Sequence, residues 1–193
     1  MTTMTMDDQS DGTWSITTRV IVYSAIGAAL YAVFNFISFG FVIPGTQEVS
    51  VRPHYGLLTF FGFAFGPVVG FLTGLIGNIV GDFLSGYGAF TSWHWSLANG
   101  VAGLLAGVIG VAFAGRATST GTRALWAAVA GVLATVIGFI VIFLGLIVTP
   151  EMSFNAILTT EYFPVILANS IAAAIVTPIL VFAWEPLREQ LGR

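Results

Sequence analysis

The sequence predicts an all-α membrane protein of six transmembrane helices with both termini in the cytoplasm. Three observations carry that prediction: the composition, the spacing of apolar blocks and the placement of arginines. Of 193 residues, 56% are hydrophobic and only 8% charged, with a mean hydropathy of +0.93. A soluble domain carries about 25% charged residues, so a water-soluble fold is excluded. A spanning helix needs about 20 mostly apolar residues, which leaves room for six or seven spans and no separate soluble domain.

Along the chain, residues 1–16 read as a disordered acidic cytoplasmic tail containing Asp7, Asp8 and Asp11. A signal peptide would begin with a basic region and carry a shorter apolar stretch, so the first helix is expected to remain in the mature protein. Apolar blocks follow at Thr17 to Phe39, Pro53 to Leu84, Trp93 to Ala114, Ala124 to Val148 and Phe163 to Ala183. Four of them suit single helices. The block from Pro53 to Leu84 would make one helix of roughly 48 Å, too long for a bilayer. Gly66-Pro67 lies inside it. Proline favours the first turn of a helix and disfavours helix in the residue before it, so a tight turn there divides the block into two spans. The membrane domain is expected over 17–185, with a short cytoplasmic tail at 186–193.

Charge supports the division. Basic residues are retained on the cytoplasmic side of short loops. With six spans, Arg19, Arg116, Arg123, Arg188 and Arg193 share one side and only Arg52 lies on the other. With five spans the bias disappears. The outer loops then hold Glu48 and Arg52, residues 82–95, and residues 151–161, together with Tyr55, Tyr87, Trp93, Trp95 and Tyr162. An interfacial aromatic belt accounts for part of that cluster, but the inner face, with Trp14, Trp126 and Trp184, has fewer.

Cysteine is absent, and two His with six Arg and no Lys leave little for metal or catalytic clusters. No H-E-x-x-H, G-x-S-x-G or phosphate-loop motif occurs, no cofactor is implied, and no basic patch suits nucleic acid. An enzyme is not expected.

The remaining signals are small and polar residues. Gly62, Gly66, Gly70 and Gly74, then Gly77 and Gly81, recur at helical spacing, as do Gly100, Gly103, Gly107 and Gly110. Small residues one turn apart let backbones approach in lipid, so these stripes read first as internal packing. The stripe on the first helix (Ala25 with Ala29, Ala28 with Ala32) suits internal packing or docking of another membrane subunit.

Asn78 and Asp82 lie one turn apart near the outer end of the third span. An intramembrane ionisable group is by default a functional candidate, and a helix-end role for Asp82 stands beside that reading. Ser92-Trp93-His94-Trp95-Ser96, with Asn99 one turn on, offers indoles, an imidazole and an amide to a planar heteroaromatic ligand; interfacial anchoring competes. Glu161, Val165 and Asn169 share one face of the last span, where Pro164 suits a helix start and Pro178 a kink. Arg52-Pro-His54-Tyr55 opens the second span, and Arg52 is expected to pair with Glu48, Asp82 or a ligand anion.

The stretch Val51-Arg-Pro-His-Tyr-Gly through Phe65-Gly-Pro-Val-Val-Gly70 to Gly77-Asn and Gly81-Asp82, then Trp93-His-Trp-Ser-Leu-Ala-Asn-Gly100, resembles the substrate-binding (S) components of energy-coupling factor (ECF) transporters, near the riboflavin-type S components. The match covers about Ser24 to Gly110; in the last two helices it is hydropathic only.

The resemblance implies a multi-pass cell-membrane protein that takes a vitamin or related micronutrient from outside. Such a subunit docks to a transmembrane coupling subunit with two cytoplasmic ATPases. It implies that Ala25 and Ala29, with Ala28 and Ala32, face the coupling subunit, and that residues 40–52 gate the site. The candidate substrate-binding residues are Arg52, His54, Asn78, Asp82, Trp93, His94, Trp95, Asn99, Glu161 and Asn169. No signature for one vitamin aligns; Glu161, Asp82 and the indoles favour a cationic or neutral heterocycle such as a thiamine-like pyrimidine. Two other readings stay open: a self-sufficient ion-coupled secondary transporter or channel using Asp82 or Glu161, and a structural subunit of a membrane complex.

Overall fold

A computed structural model describes residues 12–37, 41–46, 49–86, 88, 90–113, 116–117 and 119–190. Asp7, Asp8, Asp11, Gly40, Glu48, Tyr87 and Arg193 lie outside the described residues. The chain forms α1 (Thr18–Ile37), a two-stranded antiparallel hairpin of β1 (Phe41–Val42) and β2 (Ser50–Val51), α2 (Tyr55–Phe65), α3 (Pro67–Ser85) and α4 (Trp93–Phe113). The fifth span runs as α5 (Thr120–Gly138), a 3-10 stretch (Phe139–Leu144) and α6 (Gly145–Val148). The sixth comprises α7 (Phe154–Ile157), a π-helical turn (Leu158–Tyr162) and α8 (Phe163–Gln190).

Five of these helical segments are long and apolar enough to cross a membrane, and α2 is a shorter apolar helix of 11 residues. The division at Gly66-Pro67 is therefore present, and it is abrupt. Gly66 alone separates α2 from α3, at φ 105°, with Pro67 as the first residue of α3. Only glycine takes that backbone conformation without strain.

Helix α2 touches α1, α3, α4, α5 and α8. That central position explains its composition, because a helix apolar on all sides has no face to give to water. Its side chains run through two stacked cores. Tyr55 and Leu58 pack with Tyr31, Ala98 and Phe139 at one end of the bundle. Phe60, Phe61 and Phe63 pack with Val69, Ala127 and Val181 toward the other. The bundle's outside is apolar as well: Ile21, Leu125, Ile137, Leu167, Ile175 and Phe182 are all more than half exposed, which suits lipid contact.

The glycine stripes are packing surfaces. A Cβ at Gly70 would collide with the carbonyl of Gly103, one at Gly103 with the carbonyl of Gly70, and one at Gly74 with the carbonyl of Asn99. Helices α3 and α4 thus meet backbone to backbone. On the other side of α3, Gly77 and Gly81 lie against Tyr31 and Asn35 of α1.

That contact divides the alanine stripe. Ala28 and Ala32 are buried against α3 at 7% and 3% exposure, whereas Ala25 and Ala29 are exposed. Two of the four alanines expected to dock a partner are spent inside the chain, because at 3.6 residues per turn the four cover two faces of α1.

The sixth span also departs from expectation. Helix begins at Phe154 rather than near Phe163, and Pro164 lies about three turns into it, not at its start. Lacking an N–H, Pro164 cannot bond the carbonyl of residue 160, and the preceding turn widens to π geometry. At the far end α8 continues to Gln190 through Pro178 and Pro186, past the expected boundary at 185. There Glu185, 3% exposed, pairs with Arg123 and Arg188 at 2.8 Å each, tying α5 to α8.

Candidate functional site

Close approach of α1, α3 and α4 brings their few polar side chains together at the end of the bundle opposite Glu185. Asn78, 1% exposed, is the junction. Its Nδ2 donates to Asp82 Oδ2 at 2.6 Å and to Ser96 Oγ at 3.0 Å, while its Oδ1 accepts from Arg52 Nη1 at 3.2 Å. Asn35 donates to the other carboxylate oxygen of Asp82 at 3.3 Å. Arg52 therefore reaches Asp82 through an amide rather than by a direct ion pair. A buried carboxylate held by two amide donors and a nearby guanidinium has the partners that burial demands.

Beside this network, Tyr31 donates to Asn99 Oδ1 at 2.9 Å, and Asn99 Nδ2 donates to the carbonyl of Trp95 at 2.9 Å. Both groups contribute residues to the lining of a cavity of about 130 Å³. Arg52, Asn78 and Asp82 line one side, Trp95, Asn99 and Phe139 another, and Val165 and Asn169 of α8 a third. Val49 and Ser50 of the hairpin segment, both under 9% exposed, complete the lining. The strand register pairs Phe41 with Val51 and Val42 with Ser50 and so positions that segment.

The cavity thus gathers six of the ten residues expected from sequence: Arg52, Asn78, Asp82, Trp95, Asn99 and Asn169. The other four lie elsewhere. Trp93 is 42% exposed on the outside of α4. His94, 6% exposed, has its Nε2 beside Gly145 of the fifth span. His54 is buried against the Tyr31 ring, centroids 5.2 Å apart. Glu161, 7% exposed, sits in the π-helical turn with its Oε2 unbonded and does not line the cavity.

Sequence reasoning missed Tyr31 and Asn35 of α1, both under 10% exposed and both bonded into the site. The signal was available: two polar residues at i and i+4 on an apolar helix share a face that avoids lipid. It also missed Phe139, which enters the cavity because the fifth span tightens there to 3-10 geometry. Among the described residues no group of three or more His, Asp or Glu side chains is placed to hold a metal.

Comparison with known proteins bears on what such a site is for. The family model described as "ECF-type riboflavin transporter, S component" matches residues 15–185. The chain belongs to that family. S components are subunits of transporters, not enzymes. Among curated relatives of this S component are proteins named "UPF0397 protein". The one from Streptococcus sanguinis (strain SK36) is 42% identical over 91 residues, covering 47% of this chain and 48% of the relative. That from Streptococcus gordonii (strain Challis) is 39% identical over 95 residues, 49% of this chain and 48% of the relative. That from Streptococcus pneumoniae (strain CGSP14) is 37% identical over 92 residues, 48% of each. The matched segment spans about half the length of these relatives. No solved structure matches this S component.

Proposed function

We propose that the protein is the substrate-capture subunit of an ATP-driven importer of the energy-coupling factor type, residing in the cell membrane. It binds a small heterocyclic vitamin or micronutrient from the outer face. A transmembrane coupling subunit and two cytoplasmic ATPases then drive release to the inside. The observation that carries this reading is the polar cavity at one end of an otherwise apolar bundle. Polar side chains in a membrane domain mark a substrate pathway, and here they converge from α1, α3, α4 and α8 on one small volume.

Arginine placement supports the orientation, with the cavity facing out and Arg19, Arg116, Arg123 and Arg188 in the cytoplasm. Residues 17–185 form the membrane domain. Ala25 and Ala29, which face outward from α1, form the docking stripe; Ala28 and Ala32 do not take part. The chain carries no nucleotide-binding motif of its own, so energy comes from partners.

Co-purification and uptake test the proposal. A coupling subunit with paired ATPases should accompany the protein, and uptake should stop when ATP hydrolysis is abolished. Mass spectrometry of the purified protein should find a retained small molecule. Trp95→Ala and Asn99→Ala should each weaken its binding about tenfold, the loss of one polar or aromatic contact. Unchanged affinity would return those residues to packing.

One observation favours a second reading. The buried, incompletely bonded Glu161 is what an ion-coupled transporter needs. Ion-gradient-driven uptake by the purified chain alone in liposomes would establish that reading and remove the first.

A further inference from the structure

We infer that the cavity takes an uncharged, single-ring heterocycle bearing an amino group, of the aminopyrimidine class, and rejects fused three-ring ligands. The inference rests on the capture reading and deepens it. Size is the first argument. The cavity holds about 130 Å³, close to the engineered cavity of about 150 Å³ that accepts one benzene. Its wall is not slack: Phe139, 1% exposed, stands edge-on to the rings of Tyr55 and Trp95 at 5.9 and 6.3 Å. A three-ring ligand exceeds that volume.

Charge is the second argument. Arg52 and Asp82 are joined through Asn78 by bonds of 3.2 and 2.6 Å, so the charges of the described lining residues balance each other. A ligand ion of either sign would leave one buried charge uncompensated, which is strongly unfavourable in a low-dielectric site.

Hydrogen-bonding capacity is the third. Each oxygen of Asp82 accepts one amide N–H, and a carboxylate has about four acceptor positions. Asn169, 3% exposed, lines the same cavity with its Oδ1 unbonded. Arg52 carries more N–H groups than its bonds to Asn78 and Tyr31 use. Unfilled acceptors beside a donor match an exocyclic amino group next to a ring nitrogen. The amino N–H groups give to Asn169 and Asp82, the ring nitrogen receives from Arg52, and Trp95 borders the ring.

The test is calorimetry and thermal shift on the purified full chain in detergent. The probes are 4-aminopyrimidine, unsubstituted pyrimidine, benzoate and riboflavin, alongside mass spectrometry of any retained molecule. Expected is binding of 4-aminopyrimidine at least about tenfold tighter than pyrimidine, no response to benzoate or riboflavin, and about tenfold loss in Asn169→Ala. Because the ligand comparison uses the unaltered chain, it stands even if that variant folds poorly. Tighter binding of riboflavin or benzoate, or equal binding of pyrimidine and 4-aminopyrimidine, overturns the inference and leaves the capture reading intact. A retained molecule that is charged or carries fused rings does the same; one with a single amino-substituted ring supports it. No retained molecule, no probe binding and no ATP-dependent uptake together would overturn the capture reading itself.

Discussion

Asn78 shows how one side chain can hold a membrane site together. It supplies a donor to Asp82, a second to Ser96 and an acceptor to Arg52, with 1% of its own surface exposed. Asn78→Leu should therefore strand a carboxylate and a guanidinium at once. We expect a loss of about 2–4 kcal/mol, read as a lowered unfolding temperature in detergent, and lost ligand binding. Asn35→Ala removes a single donor from Asp82 and should lose only about 1 kcal/mol. Equal losses in the two variants would mean that Asn78 is no junction.

At the scale of elements, the α3–α4 contact admits no added atoms. Gly103→Val should lower the unfolding temperature severely or prevent folding, because its branched side chain would meet the backbone of Gly70. Gly121→Ala, where only Ser119 Oγ comes within reach at 3.9 Å, should leave stability unchanged within about 0.5 kcal/mol. Helix α1 offers a paired test of docking. Ala25→Trp should abolish uptake while ligand binding persists, since Ala25 is exposed. Ala28→Trp should lower stability and binding together, since Ala28 packs on α3. Identical behaviour of the two would remove the docking stripe.

The same elements show what the sequence made legible. Gly66-Pro67, the glycine stripes, and the pairing of Asn78 with Asp82 were all readable, because each rests on local spacing or backbone chemistry. The inward face of α1 was not. In a soluble helix, hydrophobicity marks the buried side, but lipid and protein interior are both apolar, so Ala25 and Ala28 look alike until Gly77 and Gly81 are seen against one of the two faces. The π-helical turn was hidden for a related reason: Pro164 is as compatible with a helix start as with a widened turn inside a helix, and only the helical residues before it decide.

For the whole molecule, orientation is directly measurable, because the chain has no cysteine to interfere with labelling. Glu151→Cys and Gly121→Cys lie beyond opposite ends of the fifth span or in its first turn, at exposed positions. In intact cells a membrane-impermeant maleimide should label Glu151→Cys and spare Gly121→Cys; the reverse pattern would invert the topology. At the Arg123 end, Glu185→Gln should lower the unfolding temperature by loosening α5 from α8, as it weakens two ion pairs of 2.8 Å.

The shortness of α2 sets how far a ligand travels. Eleven residues rise about 16 Å, roughly half the thickness of a hydrocarbon core. Its C-terminal end is level with Tyr23 and Trp184, whose rings lie 4.4 and 5.0 Å from Phe65, near the arginine-rich face. Arg52 stands just before its first turn, beside the cavity. On the capture reading, a ligand held there still has the length of α2, through two stacked cores of packed side chains, between it and the arginine-rich face, so its release inward requires the surrounding helices to move and not one side chain to turn.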